Sequence, residues 1–390
     1  MKDGFLSRTW AVMRRELRIW RQRPIYLAGS IAVMAFMAVF FLTFMGEGYP
    51  SDMPVGVVDS DHSSISRMLS DQLDATQTSR VVHYDSWSEA REDLQAGRIF
   101  GVMVIPEGMM DDVESFRQPK VSFYVNGLYY VGGALSYKQL QEMTNLASGA
   151  VRRETMRLKG VAESEIMGKI EPVYFDLHYI GSPGANIGRY LCNMLLPGIL
   201  EVVMMIIFIY SLGTELKYGT SRHLLRVGGN VYTAVCGKMA VYTILFTLIG
   251  WTLQVVMYKW LGFPLAGSLG EMMFIMFLFV TACMSVSVFI VGTVPVLRLS
   301  ICIGALYSIL GISMCGFTLP VEMMPAGIRG LAYMYPLTFY YRAYVQAGIF
   351  NSGFGGWYLC AAALLAFQAL PFLVMKRLGN AYEKLDYPRN

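Results

Sequence analysis

The chain has 390 residues, of which 55% are hydrophobic and only 15% charged, with a formal net charge of +4. A soluble protein of this size carries about 25% charged residues, so the deficit excludes a surface that faces water throughout and predicts one facing largely lipid. No Lys/Arg–aromatic stripe runs through the chain, which argues against a nucleic-acid partner.

In chain order, the N-terminal segment (1–24) carries Lys2, Arg8, Arg14, Arg15, Arg18, Arg21 and Arg23. Leu6, Trp10, Met13, Leu17 and Trp20 recur at helical spacing, with most of the arginines elsewhere on the wheel. This pattern predicts a basic amphipathic helix able to lie against membrane lipid at headgroup level. The plainer reading is a charge signal that only sets orientation. Ile25–Phe44 follows without a charge and is long enough to span a bilayer. It lacks a small-residue cleavage site, so it is expected to remain as a span (25–46) rather than leave as a signal peptide.

Segment 47–187 is polar and reads as an inserted α/β domain. Val55–Asp59 is a β-branched strand, and its Asp-Ser-Asp end is expected to cap a helix over Ser63–Leu73. Val81–Tyr84, Ile99–Ile105 and Val121–Val125 are further strands, and Glu107–Phe116 is a short helix. Ser86 to Glu89 has capping-box spacing for a helix ending at Gly97. A long helix is expected over Tyr130–Leu158, then a loop over Gly160–Gly168 and a returning strand over Val173–Tyr179. Alternating strands and helices imply a small, partly parallel sheet.

Five more apolar runs occupy 188–378: Leu191–Leu212, Val235–Tyr258, Met272–Val291, Leu299–Leu319 and Trp357–Met375. A loop over 213–238 and a short-helix segment over 320–352 interrupt them, and a tail covers 379–390. Basic residues gather in the N-terminal segment, in the 213–238 loop (Lys217, Arg222, Arg226, Lys238) and near the C-terminus (Lys376, Arg377, Lys384, Arg389). Six spans put all three on one side, so both termini are expected in the cytoplasm and the α/β domain outside. The fold class is an α-helical polytopic membrane protein with six spans and an extracytoplasmic α/β insertion between the first two.

Glu201 falls near the middle of the second span. A carboxylate there is costly unless paired, hydrated or protonated, so it lines a substrate path, holds a partner across an interface, or is a neutral acid bonded to a neighbouring backbone or hydroxyl. Ser300, Gly304, Ser308, Gly311 and Cys315 share one face of the fifth span and predict close helix packing, within the chain or against a second copy. A short helix near Thr220–Arg226 is expected to present Leu224 and Leu225 beside Arg222 and Arg226.

Catalytic signals are absent. There is no Gly-x-x-x-x-Gly-Lys-Ser/Thr loop, so the chain does not hydrolyse ATP by that route. His62, His83, His178 and His223 are dispersed, and the six cysteines lie in or beside apolar runs, none of them between Glu47 and Ile187. Neither set suggests a metal site or a disulfide framework. Asp61, His62, Ser63 and Ser64 read as helix capping rather than a triad.

The order of these parts resembles the membrane subunit of type-2 ABC exporters. The likeness rests on Glu215, Gly219-Thr220, Leu224-Leu225 and Gly237-Lys238 in the loop after the second span. It rests also on Leu319-Pro320, Met324-Pro325 and Tyr335-Pro336-Leu337-Thr338 after the fifth. Two departures stand out: Leu216, Lys217 and Tyr218 replace the usual acidic residues, and Gly228-Gly229 replaces a proline. The resemblance implies a permease paired with a second permease chain, as homodimer or heterodimer. It implies a separate ATP-binding subunit that holds ATP and magnesium, with no cofactor on this chain. Arg14, Arg15, Arg18, Glu215, Gly219, Thr220, Arg222, Leu224, Leu225 and Lys238 would then couple the spans to that subunit. Hydrophobic or amphipathic substrate would leave outward, and the external domain would gate the exit or dock a periplasmic adaptor. Of the competing readings, a membrane-anchored interaction protein needs fewer spans, and a secondary transporter would show inverted repeats.

Overall fold

The computed structural model describes residues 4–46, 52–76, 79–115, 117–127, 130–158, 160–162, 165–166 and 186–384. The chain divides into two compact units: Glu47–His178, and Met1–Gly46 together with Tyr179–Asn390. The strand expected over Val173–Tyr179 and part of the loop expected over Gly160–Gly168 lie outside the described residues.

The membrane unit opens with α1 (Phe5–Gln22) and α2 (Ile25–Phe44). In the inserted unit come β1 (Met53–Asp59), α3 (Ser64–Asp74), β2 (Ser79–Tyr84), α4 (Trp87–Gln95) and β3 (Gly101–Ile105). They are followed by α5 (Met109–Glu114), β4 (Ser122–Val125) and α6 (Tyr130–Leu158). The sheet order is β2-β1-β3-β4. β1 runs parallel to both neighbours, with Val57 opposite His83 and Met103, and β4 is antiparallel to β3. Strand alternation sorts the core. Val55 and Val57 pack with Leu69, Leu73, Leu140 and Met143 from α3 and α6, while Val58 packs with Ala90 of α4.

Local chemistry sets the helix starts. Ser63 Oγ accepts from the Ser66 N–H and caps α3, and Ser86 Oγ accepts from the Glu89 N–H at the start of α4. Asp59, expected to cap α3, instead accepts from the backbone N–H groups of Asp61 and His62 and closes the turn before it.

The membrane unit continues with α7 (Ile187–Lys217), α8 (Ser221–Gly228), and α9 (Val231–Val255), which ends in a π turn at Val256–Trp260. Next come α10 (Leu269–Thr293), α11 (Leu297–Met314), α12 (Ala326–Ala332), and α13 (Pro336–Tyr344), which runs into a π turn at Val345–Ile349. The last helices are α14 (Phe354–Phe367) and α15 (Leu370–Lys384).

Six segments are long and apolar enough to cross a membrane, α14 and α15 together forming the sixth. Of the α10 window 83% is buried, against 11% for α2. α10 is therefore the hub, touching α7, α9, α13, α14 and α15, whereas α2 leans on α7 from outside. That contact is close because residue 188 is glycine: a Cβ there would collide with the Met45 carbonyl oxygen.

Several spans differ from expectation. α7 runs on to Lys217 and α9 begins at Val231, so the loop expected over 213–238 is largely helical and Glu215 and Lys238 stand on helices. The fifth helix stops at Met314 rather than Leu319, because Gly316 adopts a left-handed φ of +90° and Pro320 cannot donate to a helix ladder. The sixth is interrupted at Gln368–Ala369, where the coming Pro371 lacks the N–H that would bond back to Phe367.

Candidate functional site

The turn from α7 into α8 brings together most of the loop residues singled out from the sequence. Gly219 has φ +68°, a conformation that side chains resist, so the chain can turn directly after α7. The turn sets Thr220 beside the last carboxylate of α7, and the Thr220 hydroxyl donates to Glu215 Oε2.

Glu215 is almost fully buried and saturated with donors. Arg15 from α1 grips it with both terminal nitrogens, at 2.8 Å to Oε1 and 3.0 Å to Oε2. Lys238 from α9 donates to Oε1 at 2.8 Å and to the Ser211 carbonyl at 3.1 Å. Glu16 closes the ring: its Oε1 lies 2.8 Å from Arg15 and 3.1 Å from Lys238. Two cations and two carboxylates thus cancel in a place almost without solvent, which is the condition for a buried ion cluster to persist. Burial alone would favour neutral Arg15, but the Glu215 carboxylate, assisted by Glu16, outweighs it and holds the guanidinium pKa above its ordinary value.

Helix approach makes the cluster possible. A Cβ at Gly237 would stand 2.7 Å from Val12 Cβ and 3.0 Å from the Thr9 carbonyl oxygen, so only glycine lets α1 lie on α9 here. The next residue, Lys238, then reaches Glu16. Around the charges, Trp20 Nε1 donates to the Tyr242 hydroxyl, Ser221 Oγ donates to the Tyr382 carbonyl, and Arg15 Nε donates to His223 Nδ1. The cluster therefore ties α1, α7, α8 and α9 together, and the Ser221 bond adds α15.

Other expected residues lie elsewhere. Arg14 and Arg18 are exposed on α1, Arg14 standing 5.3 Å from the Trp10 ring centre. Of the expected apolar stripe, Leu6, Trp10 and Leu17 are exposed, Met13 is half-buried and Trp20 is buried; Trp20 packs on the protein together with Val12 and Glu16. On α8, Leu224 is buried in the core of the unit and unavailable to a partner, while Arg222, His223 and Arg226 are exposed and Leu225 is half-buried. Ser300, Gly304, Ser308 and Gly311 line a seam against α7 of the same chain, with Ser308 Oγ 3.2 Å from Met205 Sδ. Cys315 is off the helix, as its C-cap. Glu201 is fully buried, and neither of its oxygens has a hydrogen-bond partner among the described residues.

Glu16, Ser211 and Tyr242 were not singled out from the sequence, while Gly237 was named only as part of a motif and His223 only as one of four dispersed histidines. Glu16 carried a readable signal: it is the one acidic residue between Asp3 and Glu47, and it sits four residues from both Val12 and Trp20. An acidic side chain on an inward face calls for a buried cation.

A family model described as ABC-2 family transporter protein matches residues 24–375. The comparison with curated proteins gave no match.

Proposed function

The chain belongs to the ABC-2 family of transporter proteins, a multi-pass permease that works with an ATP-binding subunit, and from that premise we propose that it drives export. In this reading it is one of two permease chains in a cytoplasmic (inner) membrane, both termini lie in the cytoplasm, and the inserted unit lies outside. ATP and magnesium reside on the partner, and a hydrophobic or amphipathic substrate leaves outward. The basic residues near α1, α8 and α15 support that orientation.

The observation that carries the mechanism is the Arg15–Glu16–Glu215–Lys238 cluster. The exposed basic face of α8, with Arg222 and Arg226, is the surface offered to the ATP-binding subunit. Nucleotide-driven closure of that subunit pushes on α8. Because Glu215 is held by α1 and α9 at once, the push moves these helices with the foot of α7 rather than bending a loose loop. α7 carries the displacement to Glu201, 14 residues or about 21 Å further along the helix. Substrate then passes where α7 and α11 part.

Affinity purification of the tagged chain from native membranes in mild detergent tests the partnership. A stoichiometric ATP-binding subunit is expected, retained by wild type and weakened by Arg222→Glu with Arg226→Glu. Absence of such a subunit from an intact, folded permease would sink the reading.

A further inference from the structure

The buried carboxylates Glu16 and Glu215 are each held by cations, but Glu201 in α7 is not bonded at either oxygen among the described residues. Its surroundings are small and aromatic. A Cβ at Gly311 of α11 would stand 3.6 Å from Glu201 Oε2 and 3.2 Å from Tyr335 Cδ1, so carboxyl, glycine and ring converge on one spot. Tyr335 packs on Tyr307 with ring centres 4.8 Å apart. The Tyr307 hydroxyl donates to the Met334 carbonyl instead of to the carboxyl. Tyr335 therefore meets the spot with ring carbon.

Within a span, a carboxylate without a partner costs several kcal/mol, and buried polar atoms left unbonded are rare enough to call for a reason. A carboxyl edged by aromatic rings is the chemistry that recognises a lipophilic organic cation: the charge meets the carboxyl oxygens, and the apolar body meets the rings. An anion would be repelled. A divalent metal needs several oxygen ligands, and no three acidic, His or Cys side chains gather among the described residues.

Toward the N-terminal end of α7 lies a cleft of about 380 Å³ walled by Tyr190, Phe317, Val321 and Tyr341, with the Glu322–Arg342 ion pair at its rim. Cys315 lines the cleft and follows Gly311, where an added Cβ would meet Glu201, by four residues. We propose that Glu201, with Tyr307 and Tyr335, is the recognition point for a lipophilic organic monocation, and that the aromatic cleft is its next station outward. The site is closed in this conformation and opens as α11 parts from α7 along Gly304, Ser308 and Gly311. This inference rests on the exporter reading and names its substrate class.

Equilibrium dialysis of the complete complex against labelled tetraphenylphosphonium tests it, with triphenylphosphine oxide as the neutral counterpart. Wild type is expected to bind the cation saturably. Glu201→Gln should weaken it by about tenfold or more, the scale of one desolvated charge contact. Binding of the neutral compound should stay unchanged. If the glutamine variant fails to fold, Glu201→Asp carries the same test, since retracting the charge by one methylene should weaken the cation alone. Equal cation binding by wild type and a folded variant, or no binding by wild type, overturns the inference. ATP hydrolysis read on the same preparation separates the two ideas. Coupled hydrolysis without cation binding removes this inference and leaves the exporter reading standing. Glu201-dependent binding by a chain that brings no ATP-binding subunit supports the site and removes that reading.

Discussion

At the scale of single residues, the cluster is an exercise in charge balance. Glu215 accepts from Arg15, Lys238 and Thr220, so replacing it with glutamine leaves two buried cations facing one carboxylate. Removing one partner of a buried pair costs about 3–5 kcal/mol, whereas removing one of each sign costs much less. Glu215→Gln and Lys238→Met should each lower the melting temperature markedly, and the double variant should recover most of the loss. A double variant no more stable than the worse single one would contradict the pairing. A different balance holds in the inserted unit. Hydrogen bonds from the Ser63 hydroxyl and from the backbone N–H groups of Met110, Met109 and Gly108 hold the Asp61 carboxyl below its ordinary value of 3.8. Arg98, with the Tyr84 hydroxyl, does the same for Asp93. A depressed carboxylate stabilises the fold above its unfolded pKa, and that contribution is lost as pH falls through the folded value. Hydrogen exchange in β1 and α3 of the intact chain should therefore quicken as pH drops from about 4 toward 2, after correction for intrinsic rates. Asp61→Asn together with Asp93→Asn should flatten that trend.

At the scale of elements, α1 shows why the site was only half legible. Its tryptophans and leucines stand out in the sequence, yet the exposed stripe Leu6–Trp10–Leu17 and the buried face Val12–Glu16–Trp20 are two different sides of one helix. Periodicity found the helix and could not say which side meets protein, since lipid and protein interior both select apolar residues. The decisive residue, Gly237, is on another helix and works by having no side chain. Gly237→Val should lift α1 from α9 and separate Glu16 from Lys238; cross-linking of cysteines placed at Thr9 and Gly237 neighbours reads this directly. Efficient cross-linking in the Gly237→Val background, equal to that of the parent, would refute the close-approach argument. Gly219 and Thr220 in the loop from α7 to α8 were named as coupling residues through the family likeness alone, and their local jobs, a left-handed turn and a short reach to Glu215, emerge only in the fold. Leu224 misled for another reason: its neighbour Leu225 is only half-buried, and nothing in a pair of leucines tells which one turns inward.

At the scale of the whole molecule, six apolar runs and one polar insertion were readable because a bilayer demands long uninterrupted segments. What pattern could not give is the arrangement around α10, whose burial on nearly all sides looks in sequence like any lipid-facing run. The early stop of α11 at Met314 and the break before Pro371 are backbone effects of single glycine and proline residues inside otherwise apolar stretches. The central claim is that the four charges make α1, the foot of α7, α8 and α9 one moving body under the ATP-binding subunit. Its most direct test is ATP hydrolysis by the purified complex reconstituted in lipid, comparing wild type, Glu215→Gln and Glu215→Gln with Lys238→Met. The account predicts that all three retain the ATP-binding subunit, that the single variant loses most of the permease-dependent hydrolysis, and that the charge-matched double variant regains a substantial part. A folded single variant that keeps its partner and hydrolyses ATP like wild type would contradict it.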